Sequence, residues 1–299
     1  MLPLTRRMTW TLAVVLVVGP LWAKSAELGE PAEVFVRVED RGNAVPGLKA
    51  SNVRIVENGV GMDVARVEPA GPASVVLLVE NSESSWKYLD EVNSAMQGFQ
   101  KHAPTYHAYS LVSYSEDPKV EATLTKDAAD VAAAYAGRKQ SAWGYVAAYD
   151  ALDRVLDEVE KLSGFRAVIM VGSGDDAFSR TSFKKLQQRV EAANVVIYTI
   201  QLGGSQAAAE DAPDLASGQM FLESMSRQSG GEFFCPNCEV GYKTAVEEIL
   251  ESLERFYRVS YARQAPPSSG FAKLRVEAFR IEDDERRDYR VVARPGWRF

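Results

Sequence analysis

Ser74-Val75-Val76-Leu77-Leu78-Val79-Glu80-Asn81-Ser82-Glu83-Ser84-Ser85 is the stretch that decides the fold. Val75 to Val79 form an unbroken aliphatic run, the pattern of a strand buried on both faces. The run stops at an acid followed by hydroxyls at alternate positions, Glu80, Ser82 and Ser84. Oxygen ligands are thereby delivered at the carboxyl end of a central strand, where open α/β sheets place their sites.

Working outward, strands alternate with helices from Ser74 on, which implies parallel strands joined by crossovers and an α/β fold class. The patterning predicts strands at 75–80, 109–114, 120–124, 167–172 and 195–202, and a short one at Glu232 to Phe234. Helices are predicted at about 86–101, 127–136, 145–162, 180–193, 216–229 and 241–256. On either side the grammar is that of strands alone. Val34 to Glu39, Val53 to Glu57 and Val64 to Val67 precede the α/β stretch; Tyr257 to Tyr261, Lys273 to Phe279 and Tyr289 to Val292 follow it. Turn chemistry such as Glu57-Asn58-Gly59 separates them. The simplest packing joins the two ends, so that a doubly wound, mostly parallel sheet (73–256) is inserted in a small antiparallel β domain built from 26–72 and 257–299. Gly203 to Leu215 reads as a surface loop at the predicted site end, with a binding role and a tolerated insertion both open.

Composition sets limits on partners and compartment. With 299 residues, 46% of them hydrophobic and 25% charged, the chain buries a sizeable core. Arg6 and Arg7 precede an apolar stretch from Trp10 to Trp22 that ends in Ala23-Lys24-Ser25-Ala26, the layout of a signal peptide over residues 1–25. Its removal takes away Arg6, Arg7 and Lys24 and no acid, shifting the formal net charge from −7 to about −10. The alternative is an uncleaved amino-terminal anchor, though a span needs about 20 apolar residues. The mature product is therefore expected in the periplasm or outside the cell, and an acidic export product argues against nucleic-acid binding.

Several short motifs in this order resemble the von Willebrand factor type A (VWFA) domains, and in particular the bacterial, acidobacterial-type VWFA-related family. They are Glu80-x-Ser82-x-Ser84 where that family has D-x-S-x-S, Val36 to Leu48, Val53-Arg54-Ile55-Val56-Glu57-Asn58-Gly59, Tyr149-Asp150-Ala151-Leu152 and Ser229-Gly230-Gly231-Glu232-Phe233-Phe234. Phe256-Tyr257-Arg258-Val259-Ser260-Tyr261 and Arg294-Pro295-Gly296-Trp297 complete the set. The resemblance implies a Rossmann-like sheet and a metal-ion-dependent adhesion site, in which two serines, a threonine and aspartates hold a divalent cation.

Here the site departs from that pattern. Glu80 stands for the first aspartate, Val146 for the threonine and Ser173 for the second aspartate, while Ser82 and Ser84 remain. Mg2+ demands near-ideal octahedral oxygen coordination, and a valine brings no ligand atom. The resulting expectation is a degenerate site that holds no metal. The alternative keeps Mg2+ or Mn2+ on Glu80, Ser82 and Ser84 with help from Glu83, Asp175 or Asp176; those last two acids equally suit a cap for the helix beginning near Ser179.

The only cysteines, Cys235 and Cys238, read as a local disulfide in an exported chain, with a redox centre or a metal site as alternatives. His102 and His107 are expected as an exposed loop pair. No G-x-S-x-G, phosphate loop or H-E-x-x-H motif occurs. The function expected from the resemblance is therefore a non-enzymatic module that binds a protein ligand, or an adhesion-type module, through the upper face of the α/β domain. A periplasmic thiol-disulfide protein and a structural cell-envelope component are the rival readings.

Overall fold

Alternating apolar and polar residues at both ends of the chain assemble into one antiparallel sheet in the computed structural model, which describes residues 30–83, 85–140, 145–203, 213–235, 241–263 and 270–299. The leading strands are β1 (Glu30–Asp40), β2 (Asn43–Ala44), β3 (Val53–Glu57), β4 (Val60–Met62) and β5 (Val64–Pro69). The α/β stretch follows as β6 (Ala73–Glu80), α1 (Leu89–His102), β7 (Ala108–Tyr114), β8 (Pro118–Thr125), α2 (Ala128–Gly137), α3 (Ala148–Val159), β9 (Phe165–Gly172), α4 (Phe183–Ala192), β10 (Val196–Gln201), α5 (Pro213–Ser229), β11 (Phe233–Phe234) and α6 (Tyr242–Leu253). The chain returns to strands in β12 (Phe256–Arg263), β13 (Phe271–Glu282), β14 (Glu285–Ala293) and β15 (Gly296–Arg298).

In the outer sheet the order is β4-β3-β13-β14-β1-β12-β5, with β15 on β13 and β2 on β1. β1 is the join: it pairs with β12 from Glu30↔Arg263 to Arg37↔Phe256, and with β14 from Val36↔Ala293 to Glu39↔Arg290. Strands from the two ends of the chain are thus interleaved, as the sequence pattern predicts. Val34, Val36, Ile55, Val259, Tyr261 and Trp297 are among the residues of its own core.

The inner sheet runs β11-β10-β9-β6-β7-β8, with the aliphatic run of β6 at its centre. Helices α1, α2 and α6 cover one face and α3, α4 and α5 the other, each through its apolar stripe. All neighbours are parallel except β8, which pairs antiparallel with β7. The reason is distance: Ser115 to Asp117 is a hairpin connection, far too short for a crossover.

Among the contacts that pack the two sheets together, two stand out. Phe165 of β9 lies between Phe35 and Phe256, with ring centroids 4.7 and 5.0 Å away. On the other side, buried Arg294 reaches the carboxyl end of α4, donating to the carbonyls of Val190 (3.1 Å), Glu191 and Ala193, and from Nε to Gly296 (2.8 Å). These are the carbonyls a helix end leaves without partners. Arg294 also lies over the Trp297 ring at 3.6 Å.

Four expectations need correction. The helix expected at 145–162 begins at Ala148, because Val146 and Ala147 pair with a neighbouring loop instead. That expected at 180–193 begins at Phe183, where Ser182 caps it by accepting from the Lys185 N–H. The last helix stops at Leu253, leaving Phe256 to open β12. His107 is buried, its Nδ1 accepting the Ala73 N–H at 2.9 Å just where the chain passes from the outer sheet to the inner one. Among the described residues no helix is long and apolar enough to cross a membrane. Residues 1–25 and most of the Gly203 to Leu215 loop lie outside the described residues.

Candidate functional site

The carboxyl ends of β6 and β9 sit side by side, Val79 paired with Val171, so the loops that follow them meet at the upper face of the inner sheet. Glu80, the last residue of β6, is buried. Oε1 accepts from the Ser82 hydroxyl at 2.5 Å. Oε2 accepts from both the N–H (2.7 Å) and the hydroxyl (2.8 Å) of Ser173, 93 residues away in sequence. One carboxyl group therefore ties the first loop to the third.

The surroundings explain how so long a side chain fits. Gly172 leaves space: a Cβ there would fall 2.2 Å from the Tyr114 hydroxyl and 3.0 Å from Glu80 Oε2. Tyr114 is fully covered, and its hydroxyl has no hydrogen-bond partner among the described residues. Burial pushes the Glu80 carboxyl above the ordinary carboxylate range, the nearby Asp175 charge adds to the rise, and the bonds from Ser82 and Ser173 oppose it. The Tyr114 phenol is pushed well up for the same reasons, burial first and then Glu80.

The second loop contributes backbone, not a ligand. Val146 is buried, and its carbonyl accepts the N–H groups of Ala177 (2.9 Å) and Phe178 (3.1 Å). An isolated bridge between Ala147 and Asp176 continues this crossing. Asp176 does cap a helix, but α3 rather than α4: its Oδ1 accepts from the Tyr149 N–H (3.1 Å) and the Ser179 hydroxyl (2.5 Å). Asp150 of α3 reciprocates, accepting from the N–H groups of Arg180 and Thr181 at 2.9 Å each, and these bonds hold its carboxyl below the usual range against a rise from desolvation. No local pattern signals this exchange, since it depends on the loop after Gly174 folding back over α3.

As placed, these groups do not fit a divalent cation. The bonds from Ser82 and Ser173 occupy both Glu80 oxygens within the protein, Val146 supplies hydrocarbon, and the Ser173 hydroxyl is turned toward Glu80. Ser84 lies outside the described residues, and Asp175 contributes its N–H to Ser173 Oγ at 3.2 Å. Among the described residues no group of three or more His, Cys, Asp or Glu side chains is placed to hold a metal ion. Cys235 follows β11 at the same upper end of the sheet; Cys238 lies outside the described residues.

Two exposed aromatic rings stand on this face, a feature the sequence reading missed. Tyr145 and Phe178 stack with centroids 3.8 Å apart and planes at 17°. Nothing in the periodicity marks them, because they come from the two loops that cross at Val146.

Residues 75–176 match the family model for the von Willebrand factor type A domain. No curated protein matches. Among solved structures, the chain is similar to an aerotolerance-related membrane protein from Bacteroides fragilis, at 11% identity over 61% of this chain and 98% of that one, TM-score 0.48. It is similar to the vWF domain of the type V pili tip protein Mfa5 from Porphyromonas gingivalis, at 11% identity over 61% and 95%, TM-score 0.46. It is also similar to the ArnB paralog VWA2 from Sulfolobus acidocaldarius, at 11% identity over 88% and 75%, TM-score 0.42.

Proposed function

We propose, from the von Willebrand factor type A domain carried by residues 75–176, that this chain is an exported, non-enzymatic module that binds a protein ligand through the upper face of its inner sheet without a metal. The observation that carries the reading is the Glu80 carboxyl. By joining Ser82 to Ser173 it does from within the fold what a cation would otherwise do, which is to hold two loops in one arrangement. A face fixed in this way is a preorganised surface, and preorganisation lowers the ordering cost of binding.

Site-specific photo-crosslinking tests this in envelope extracts. A photoreactive residue at position 178, on the upper face, is expected to capture a protein in the presence of a chelator. The same residue at position 281, on the outer sheet, is the control. Capture at 281 alone, or capture at 178 that depends on added Mg2+, overturns the reading.

A further inference from the structure

Resting on that reading, we infer that the ligand offers a basic side chain, lysine or arginine, next to an apolar one, to an acid-rimmed aromatic step formed by Tyr145 and Phe178. The step is fixed. Its two rings are 59% and 51% exposed, yet they lie in parallel contact, and the loops that carry them are locked by the Ala177 and Phe178 N–H groups on the Val146 carbonyl. Neither ring belongs to a hydrophobic core. Binding hot spots are enriched in aromatic side chains such as tyrosine.

Charge selects the kind of partner. Phe178 borders a depression of about 340 Å3 whose rim holds Glu116, Asp117, Asp150 and Asp153 against Arg154 and Arg180. Asp150 is engaged in the backbone cap of the loop, and Asp153 faces Arg189 at 3.7 Å. Glu116 and Asp117, at the tip of the β7 to β8 hairpin, have no ion pair within the protein among the described residues. The rim thus has two acids in excess of its bases, in a chain whose formal net charge is −7. An aromatic face attracts a cation within about 6 Å of its centre. Among the described residues, none of the protein's own lysines or arginines lies over either ring. The aliphatic neighbour of the incoming cation would cover the edge of the step.

Immobilised heptapeptides serve as the probe, in three sets that differ only at two central positions: Arg-Leu, Glu-Leu and Arg-Gly. Retention of the full chain on Arg-Leu peptides is expected to exceed that on either other set by about ten-fold, as hot-spot pairing with a cation over a ring would give. Tyr145→Ala and Phe178→Ala should each abolish most of that advantage. Glu116→Gln with Asp117→Asn should weaken it and flatten its salt dependence, and this second variant keeps the aromatic step intact. Preference for Glu-Leu, equal retention on Arg-Gly, or Arg-Leu retention unchanged in both kinds of variant overturns the inference. If crosslinking at position 178 persists while the Arg-Leu preference is missing, the upper-face reading stands and only the ligand class falls; if both are missing, both fall.

Discussion

At the scale of the residue, Glu80 decides how the upper face behaves. Its carboxyl is raised by burial, so between the ordinary value of 4.5 and its folded value the native state binds more protons than the unfolded one. The stability this group contributes is complete below about pH 4.5 and is lost as pH rises through the folded pKa. Glu80→Gln keeps the acceptor for Ser173 and provides a donor for Ser82, so the variant should lose that decline and exceed the wild type in stability at pH 8, measured by urea unfolding. Glu80→Ala should instead cost about 1–3 kcal/mol, because the Ser173 N–H is left buried without its partner. A wild type and a Gln variant with parallel pH profiles would remove the account of a carboxyl pKa raised by burial. Metal is the second issue at this scale. Added Mg2+ should leave the wild-type melting temperature unchanged, whereas a cation at 100 times its Kd would add about 2.7 kcal/mol if only the folded state bound it. Glu80→Asp with Val146→Thr and Ser173→Asp should create saturable stabilisation by Mg2+; a folded triple variant that ignores the metal would show that these three loops are matched wrongly. The departure from D-x-S-x-S at Glu80 was legible in the sequence. Its bond to Ser173 was not, because it depends on strand neighbours 93 residues apart.

At the scale of elements, the legible parts are those set by periodicity: the β6 run, the amphipathic faces of α3 and α6, and the Gly230-Gly231 break before β11. What escaped depends on contacts between elements. His107 looked like a loop residue because its role, accepting the Ala73 N–H, belongs to a backbone group 34 positions earlier. Strands β4 and β15 are three residues each, too short to show alternation. Arg294 is another such case, since its motif was visible while its work as a helix cap was not. Arg294→Lys should destabilise the fold by about 3 kcal/mol, read from denaturant midpoints, because one ammonium cannot reach the carbonyls of Val190, Glu191 and Ala193 that the planar guanidinium spans. A loss under 0.5 kcal/mol would mean that water replaces those bonds. For the segment after β11, non-reducing peptide mapping of exported protein should find Cys235 linked to Cys238. Replacing both by serine should cost about 2 kcal/mol while ligand capture survives; loss of a thiol-exchange activity with the fold intact would favour the redox rival.

At the scale of the whole molecule, residues 1–25 are expected to be removed on export, so mass spectrometry of the envelope or medium fraction should find a mature start near Ala26. Full-length chain confined to a membrane pellet would favour an anchor instead. The arrangement of the two sheets has a mechanical side as well. The inner domain leaves and rejoins the outer sheet at neighbouring points, Ala70 N–H bonding the Phe256 carbonyl at 2.9 Å, while β1 lies hydrogen-bonded between β12 and β14. Glu30 pairs with Arg263, whose guanidinium lies over the Phe299 ring, so both ends leave the same end of the outer sheet; tension applied at Glu30 and Phe299 therefore peels β1 from β14 one hydrogen bond at a time, and bypasses the inserted domain until those ladders part. A ligand held on the upper face sits outside the line of force that stretches the chain from its ends.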